Sequence, residues 1–149
     1  MQSSVLCPVY RKWLQLHPEQ ARIKRQTLKA EALASRRKGD IRQATNLYRL
    51  VWEIAQSILF SLRRPDNHSA EHYQDLVIFA AAAMAHQQCC EQQPEPESAA
   101  HHSVLADTQQ QLSALLPLYA SEPKLLDTIS QLKEWLRCNS VLQQSVLMH

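Results

Sequence analysis

Glycine is nearly absent from this 149-residue sequence, in which Gly39 is the only one. Average usage of about 7% would supply roughly ten. Tight hairpin turns and loops that wrap phosphate groups depend on glycine, because they need backbone angles that other residues avoid. The scarcity therefore excludes an all-β fold, a P-loop and a dinucleotide-binding fingerprint. It predicts an all-α fold, and no alternating strand pattern contradicts that prediction.

Long apolar runs and dense cysteines are missing as well. Residues 1–16 lack the unbroken apolar region of a secretory signal. The longest apolar run, 76–85, has ten residues, whereas a membrane span needs about 20. The cysteines are too few and too irregularly spaced for a secreted disulfide framework: Cys7, Cys89, Cys90 and Cys138. We therefore expect a cytoplasmic protein that has no membrane partner.

The length predicts one domain over 1–149, large enough to form a core without staples. Apolar residues recur at spacings of three and four, most clearly over 41–62, which is typical of amphipathic helices. Helices are predicted at about 8–16, 19–37, 41–62, 70–92, 99–120 and from 121 onward. Pro117 is expected to kink or end the fifth helix, and 91–98 reads as a Pro/Glu linker. The predicted architecture is a set of antiparallel helical hairpins, either repeat-like or an irregular bundle of five to six helices.

Charge is divided unevenly along the chain. Residues 1–64 contain 13 Lys and Arg against four acids, a net charge of +9, and residues 65–149 contain three against ten, a net charge of −7. Such asymmetry indicates either a partner or self-association. In the alternative interpretation, the two halves fold against each other and neutralise one another.

The segment 28–51 resembles a tetratricopeptide repeat. The resemblance centres on Gly39-Asp40-Ile41-Arg42-Gln43-Ala44 followed by Tyr48 and Val51, with Leu28 and Ala32 at the large and small positions of the first helix. Departures from the family pattern occur at Glu31, Ser35 and Gln56, and no second copy follows 34 residues on. The resemblance implies a helical hairpin that binds a protein or peptide on a concave face and carries no catalytic activity.

The first functional hypothesis follows from that hairpin: a non-enzymatic, bacterial adaptor, regulator or chaperone that binds a protein or peptide partner. Its groove would lie between the helices 26–38, 41–62 and 70–90. Partner contacts are expected from Arg36, Arg42 and Arg49, with Trp52 as an anchor if its ring is exposed. Core filling is the default interpretation for Trp52, as it is for Trp13 and Trp135.

A second hypothesis is a nucleic-acid-binding regulator that uses the basic helix over 22–42. Its candidate phosphate contacts are Arg22, Lys24, Arg25, Lys29, Arg36, Arg37 and Lys38. The helix lacks a row of side chains suited to reading base edges. The same charges could instead be solvated, or could bind an acidic peptide or the acidic half of a second subunit.

A third hypothesis is a metal or thiol sensor. His86, Cys89 and Cys90 share roughly one side of a helix, and His101-His102 follow after the linker. Their spacing matches neither of the usual paired zinc-ligand patterns, and buried cysteine is common between helices. No cofactor and no enzymatic activity are expected, and the apolar segment 141–148 could mediate homo-oligomerisation.

Overall fold

The computed structural model describes residues 6–61, 69–93 and 104–147, and it confirms the all-α prediction. Its helices are α1 (Pro8–Leu16), α2 (Pro18–Arg37), α3 (Ile41–Leu59), α4 (Ser69–Gln92), α5 (Val104–Leu115) and α6 (Pro123–Leu147). A 3₁₀ turn over Leu116–Tyr119 follows α5. Those three stretches contain no strand, and no helix in them is both long and apolar enough to span a bilayer.

Local sequence signals set the first three helices. His17 ends α1 in a non-helical conformation, with φ −128° and ψ 67°, and Pro18 opens α2. Gly39 ends α2 with φ +85°, in the left-handed region that favours glycine. Asp40 then caps α3, because its side chain accepts a hydrogen bond from the Gln43 backbone N–H at 3.2 Å.

The structure corrects one predicted helix boundary, and several other predictions fall on residues that it does not describe. The third helix ends at Leu59 and not near 62, and the Gln15 amide donates to the Phe60 carbonyl oxygen beyond that end at 3.4 Å. The fifth helix ends at Leu115, before Pro117, as expected. Most of the predicted linker, the pair His101-His102 and the side chains from 140 onward lie outside the described residues.

Helices α2 and α4 both pack on α3, which lies between them. The start of α3 meets the end of α4, where the Gln93 amide donates to the Thr45 hydroxyl at 3.0 Å, so these helices are antiparallel. No Cα atoms of α2 and α4 lie within 8 Å of each other, although both helices border the same central helix. Helices α5 and α6 cover α4, and α1 lies against α3 and α2.

The buried face of α2 differs from the predicted one. The sequence predicts a stripe of Ile23, Leu28, Ala32 and Leu33, but the buried residues are Ala21, Arg25, Leu28 and Ala32. Ile23 is 64% exposed and Leu33 is 43% exposed. The prediction failed because it treated arginine as a surface residue, whereas a paired arginine occupies the core here. Tyr73 of α4 was also predicted to face inward and is 52% exposed.

The positions of the tetratricopeptide resemblance that lie where α2 and α3 cross are buried. Ala32 and Ala44 are fully buried, and Tyr48 is 7% exposed. Small residues at these positions let α2 and α3 approach closely across the Gly39 turn. Membership of the repeat family stays a prediction, because a single antiparallel hairpin is common to many helical folds.

Candidate functional site

Helix α1 has two chemically different sides. Its inner side holds Leu14, which is fully buried, and Arg11, whose Nη2 lies 2.7 Å from Oε1 of Glu53 in α3. Its outer side carries Val9, Trp13 and Leu16, which are 78%, 41% and 43% exposed. Positions i, i+4 and i+7 fall on one face of a helix. The N-terminal helix therefore presents a continuous apolar face to solvent, which we call the outer face of α1.

Aromatic stacking fixes the centre of this face. The Trp13 ring lies parallel to the Tyr10 ring at a centroid distance of 6.0 Å and stacks on His17 at 4.4 Å. His17 is held in turn by a 2.8 Å contact between its Nδ1 and the Trp13 carbonyl oxygen. Core filling was the expectation for Trp13 and for Trp135, and it was wrong for both, since each is 41% exposed.

Trp52 occupies the core, as the default interpretation of that residue predicted. It is 2% exposed, and its Nε1–H donates to Oγ1 of Thr108 in α5 at 2.9 Å. Its ring stacks on Phe79 of α4 at a centroid distance of 5.6 Å. Trp52 therefore links three helices and offers no surface to a partner.

The three arginines predicted to accompany Trp52 do not share one exposed face with it. The Arg49 guanidinium lies over the Trp52 ring at 5.0 Å, and its Nε is 3.6 Å from Oε2 of Glu53. Arg36 donates to the Gln88 side chain of α4 at 3.3 Å. Arg42 is exposed in the first turn of α3. Of the predicted partner contacts, only Arg42 is exposed.

Two of the basic residues proposed for nucleic acid bind a buried carboxylate of α4. Asp75 is fully buried, and its oxygens accept from Arg22 at 2.8 and 3.2 Å and from Arg25 at 2.8 Å. Glu71 lies 3.3 Å from the same Arg22. The hydrogen bond with Asp75 raises the pKa of Arg22. The basic and acidic halves of the chain thus neutralise one another at this point.

Of the candidate phosphate contacts, the four that remain exposed do not form a stripe along one side of the helix. They are Lys24, Lys29, Arg37 and Lys38. At about 100° per residue, Lys24 and Lys29 point roughly 140° apart around the axis of α2. A surface that follows a phosphate backbone needs its cations along one side, and this helix distributes them around its circumference.

Of the predicted cysteine and histidine cluster, His86 and Cys90 lie together in the structure, whereas Cys89 does not join them. The Cys90 sulfur lies 3.5 Å from Nε2 of His86, and Nδ1 of His86 lies 3.2 Å from the Thr45 carbonyl oxygen. Cys89 is fully buried. Burial raises the pKa of both thiols, and the charge of Arg49 partly opposes this for Cys90. Within the described ranges, no three His, Cys, Asp or Glu side chains converge as metal ligands.

Sequence reasoning missed the buried carboxylates, because it found no paired acids on the apolar stripes. Asp75 and Glu53 are each buried singly, and each lies between two arginines. A signal was present for Asp75, which stands four residues before the buried Phe79. Arg25 likewise stands four residues after Ala21 and three before Leu28, on the buried face of α2.

Comparison with known proteins adds no relative to this picture. No protein-family model matches the chain, and no curated protein or solved structure resembles it significantly.

Proposed function

We propose that this chain is a non-enzymatic adaptor whose N-terminal helix docks into an apolar groove of a partner protein. The observation that supports this proposal is the exposure of Val9, Trp13 and Leu16 at positions i, i+4 and i+7 on the outer face of α1. Helices that bind in grooves use anchors at this spacing. The inner side of α1 is already occupied by α3, so the helix is presented by a rigid support.

The chemistry of the face favours a protein groove over a flat surface. Exposed aromatic side chains in a contiguous apolar patch mark interaction sites, and tryptophan is enriched among the residues that dominate binding energy. The Trp13 ring stacks on Tyr10 and on His17, and these contacts hold it in place before binding. Such preorganisation reduces the entropy lost on association.

The size of the face argues against self-association through α1 alone. A nine-residue helix is about 13 Å long. One side of it pressed against an identical helix covers far less than the roughly 800 Å² per partner of a stable interface. A concave groove that receives the outer face of α1 buries more of the same side chains than a second convex helix does. Nucleic acid is the weaker candidate, because Arg22 and Arg25 are held by Asp75.

The test compares two tryptophans of equal exposure. Trp13 and Trp135 are both 41% exposed but lie on different helices. Wild-type protein, Trp13→Ala and Trp135→Ala are used as bait in a native lysate, with nuclease and without. A polypeptide captured by wild type is then purified, and its dissociation constant is measured for all three baits.

We expect Trp135→Ala to bind like wild type and Trp13→Ala to bind at least about 30-fold more weakly, since a central tryptophan anchor contributes about 2 kcal/mol or more. Circular dichroism spectra of the three baits are expected to coincide, because neither ring is buried. Equal affinity of Trp13→Ala and wild type refutes the proposal. Capture that disappears after nuclease treatment refutes it in favour of nucleic acid.

A further inference from the structure

His86 and Cys90 form a second feature, remote from the outer face of α1. They lie on successive turns of α4, one turn apart and about 40° apart around its axis. Both side chains are partly exposed. The pair lies beside Thr45, at the start of α3. Helix α1 contacts Glu53 and Phe60, toward the end of α3.

We propose that His86 and Cys90 chelate a thiophilic divalent cation such as Zn²⁺. Zinc bonds of about 2.3 Å to sulfur and about 2.0 Å to nitrogen, opened at a tetrahedral angle, separate the two donor atoms by roughly 3.5 Å. The Cys90 sulfur and His86 Nε2 are 3.5 Å apart. The pair therefore already has the spacing that a tetrahedral ion requires.

The orientation of the imidazole supports the same conclusion. A carbonyl oxygen only accepts hydrogen bonds, so the contact with the Thr45 carbonyl assigns the ring proton of His86 to Nδ1. Nε2 then presents its lone pair toward Cys90. Metal-binding histidines usually donate their other ring N–H to a carbonyl or a carboxylate, which fixes the tautomer and the ring direction.

The described part of the chain supplies two ligands to this site and not four. Cys89 points about 100° away around α4 and is fully buried. The part of the chain described here adds no third His, Cys, Asp or Glu. Water fills the remaining positions, so the affinity is lower than that of a four-ligand structural zinc site. On binding, the Cys90 S–H bond breaks, a sulfur–metal bond forms, and the proton passes to the buffer.

Cobalt(II) is the probe, because it takes the place of zinc and reports a thiolate ligand by a charge-transfer band in the near ultraviolet. All proteins carry Cys7→Ser and Cys138→Ser, which removes the two exposed thiols. Into this background we introduce Cys90→Ser, His86→Gln, or the control Cys89→Ser. Circular dichroism checks the folding of each variant, and competition with zinc gives the zinc affinity.

The parent and Cys89→Ser are expected to develop the charge-transfer band and to bind cobalt equally well. Cys90→Ser loses the band, and His86→Gln binds at least about ten-fold more weakly, since one of only two ligands is gone. A parent that shows no band at millimolar cobalt with its thiols reduced overturns the proposal. So does a band that survives in folded Cys90→Ser, because another thiol would then be the ligand.

Discussion

The buried carboxylate of Asp75 permits a quantitative test of how α2 is held beside α4. Asp75→Asn keeps the size of the side chain but removes its charge. The Arg25 side chain, which is 6% exposed, then loses its counter-ion, whereas Arg22 keeps Glu71. Removing one member of a buried ion pair costs about 3–5 kcal/mol. We expect a value near 3 kcal/mol, because only one of the two arginines is left without a carboxylate.

The assay is equilibrium unfolding in urea, followed by circular dichroism. A single domain of this length is expected to unfold in a two-state transition. The slope with denaturant should not change, since the surface exposed on unfolding is the same. Glu71→Gln is the matched control, because Glu71 contacts the same Arg22 at 3.3 Å but is 56% exposed. Its loss should cost less than about 1 kcal/mol.

A second substitution separates the two causes of any loss. Adding Arg25→Met to Asp75→Asn removes the stranded charge and keeps an apolar stem of similar length. The double variant should regain at least about 1 kcal/mol relative to Asp75→Asn. If Asp75→Asn costs no more than Glu71→Gln, or if Arg25→Met restores nothing, the reasoning from a buried unpaired charge is wrong.

Three further predictions concern the turn, the core tryptophan and the thiols. Gly39→Ala should cost about 1 kcal/mol and lower the melting temperature by about 2–4 °C, because an alanine meets no atom within 4 Å but is strained at φ +85°; an unchanged melting temperature would contradict this. Thr108→Val should cost about 1 kcal/mol, because it breaks the 2.9 Å hydrogen bond from Trp52, and Trp52→Phe should cost more, because it also removes buried ring atoms from the core. Urea unfolding of the double variant should show a cost below the sum, and full additivity would count against that bond. In thiol labelling at neutral pH, Cys7 should react much faster than Cys89. Backbone hydrogen bonds lower the pKa of the Cys7 thiol and favour its reactive thiolate, whereas burial raises the pKa of Cys89; equal rates in the folded protein would refute the assignment.

Much of the helical framework could be predicted from the sequence, because the signals for it are local. Pro18, Gly39 with Asp40, and Pro117 each act on the backbone within a few residues, and helices begin or end within two residues of those positions. The three-four spacing of apolar residues likewise predicts the buried faces of α5 and α6, on which Leu112 and Ile129 are fully buried. These inferences do not depend on which other helices pack against each element.

The candidate site could not be predicted in the same way, because exposure depends on which neighbour covers each face. The apolar side of α1 was visible in the spacing of Val9, Trp13 and Leu16. Burial of Leu14 together with the Arg11–Glu53 pair turns that side outward. Trp52 stands one position past the main stripe of α3 and became buried because Phe79 and Thr108 meet it there. Both outcomes depend on partners more than 25 residues away in the chain.

The polar bridges also explain how helices whose backbones are not adjacent keep their register. No Cα atoms of α2 and α4, or of α3 and α5, approach within 8 Å. Yet Arg25 reaches Asp75 across the first gap, and Trp52 reaches Thr108 across the second.

Apolar stripes tolerate a slide of one helical turn, about 5.4 Å, because the stripe repeats at that interval. The 2.8 Å contact between Arg25 and Asp75 does not survive such a slide, and it would leave a charge buried without a partner. The buried ion pair thus acts against shifted packings more than it adds to the stability of the observed one. Replacing Arg25 and Asp75 with apolar side chains should therefore leave the free energy of unfolding nearly unchanged. The variant should, however, populate several native packings, which nuclear magnetic resonance would detect as multiple or broadened resonances. A variant that keeps a single sharp set of resonances would show that apolar packing alone determines the register.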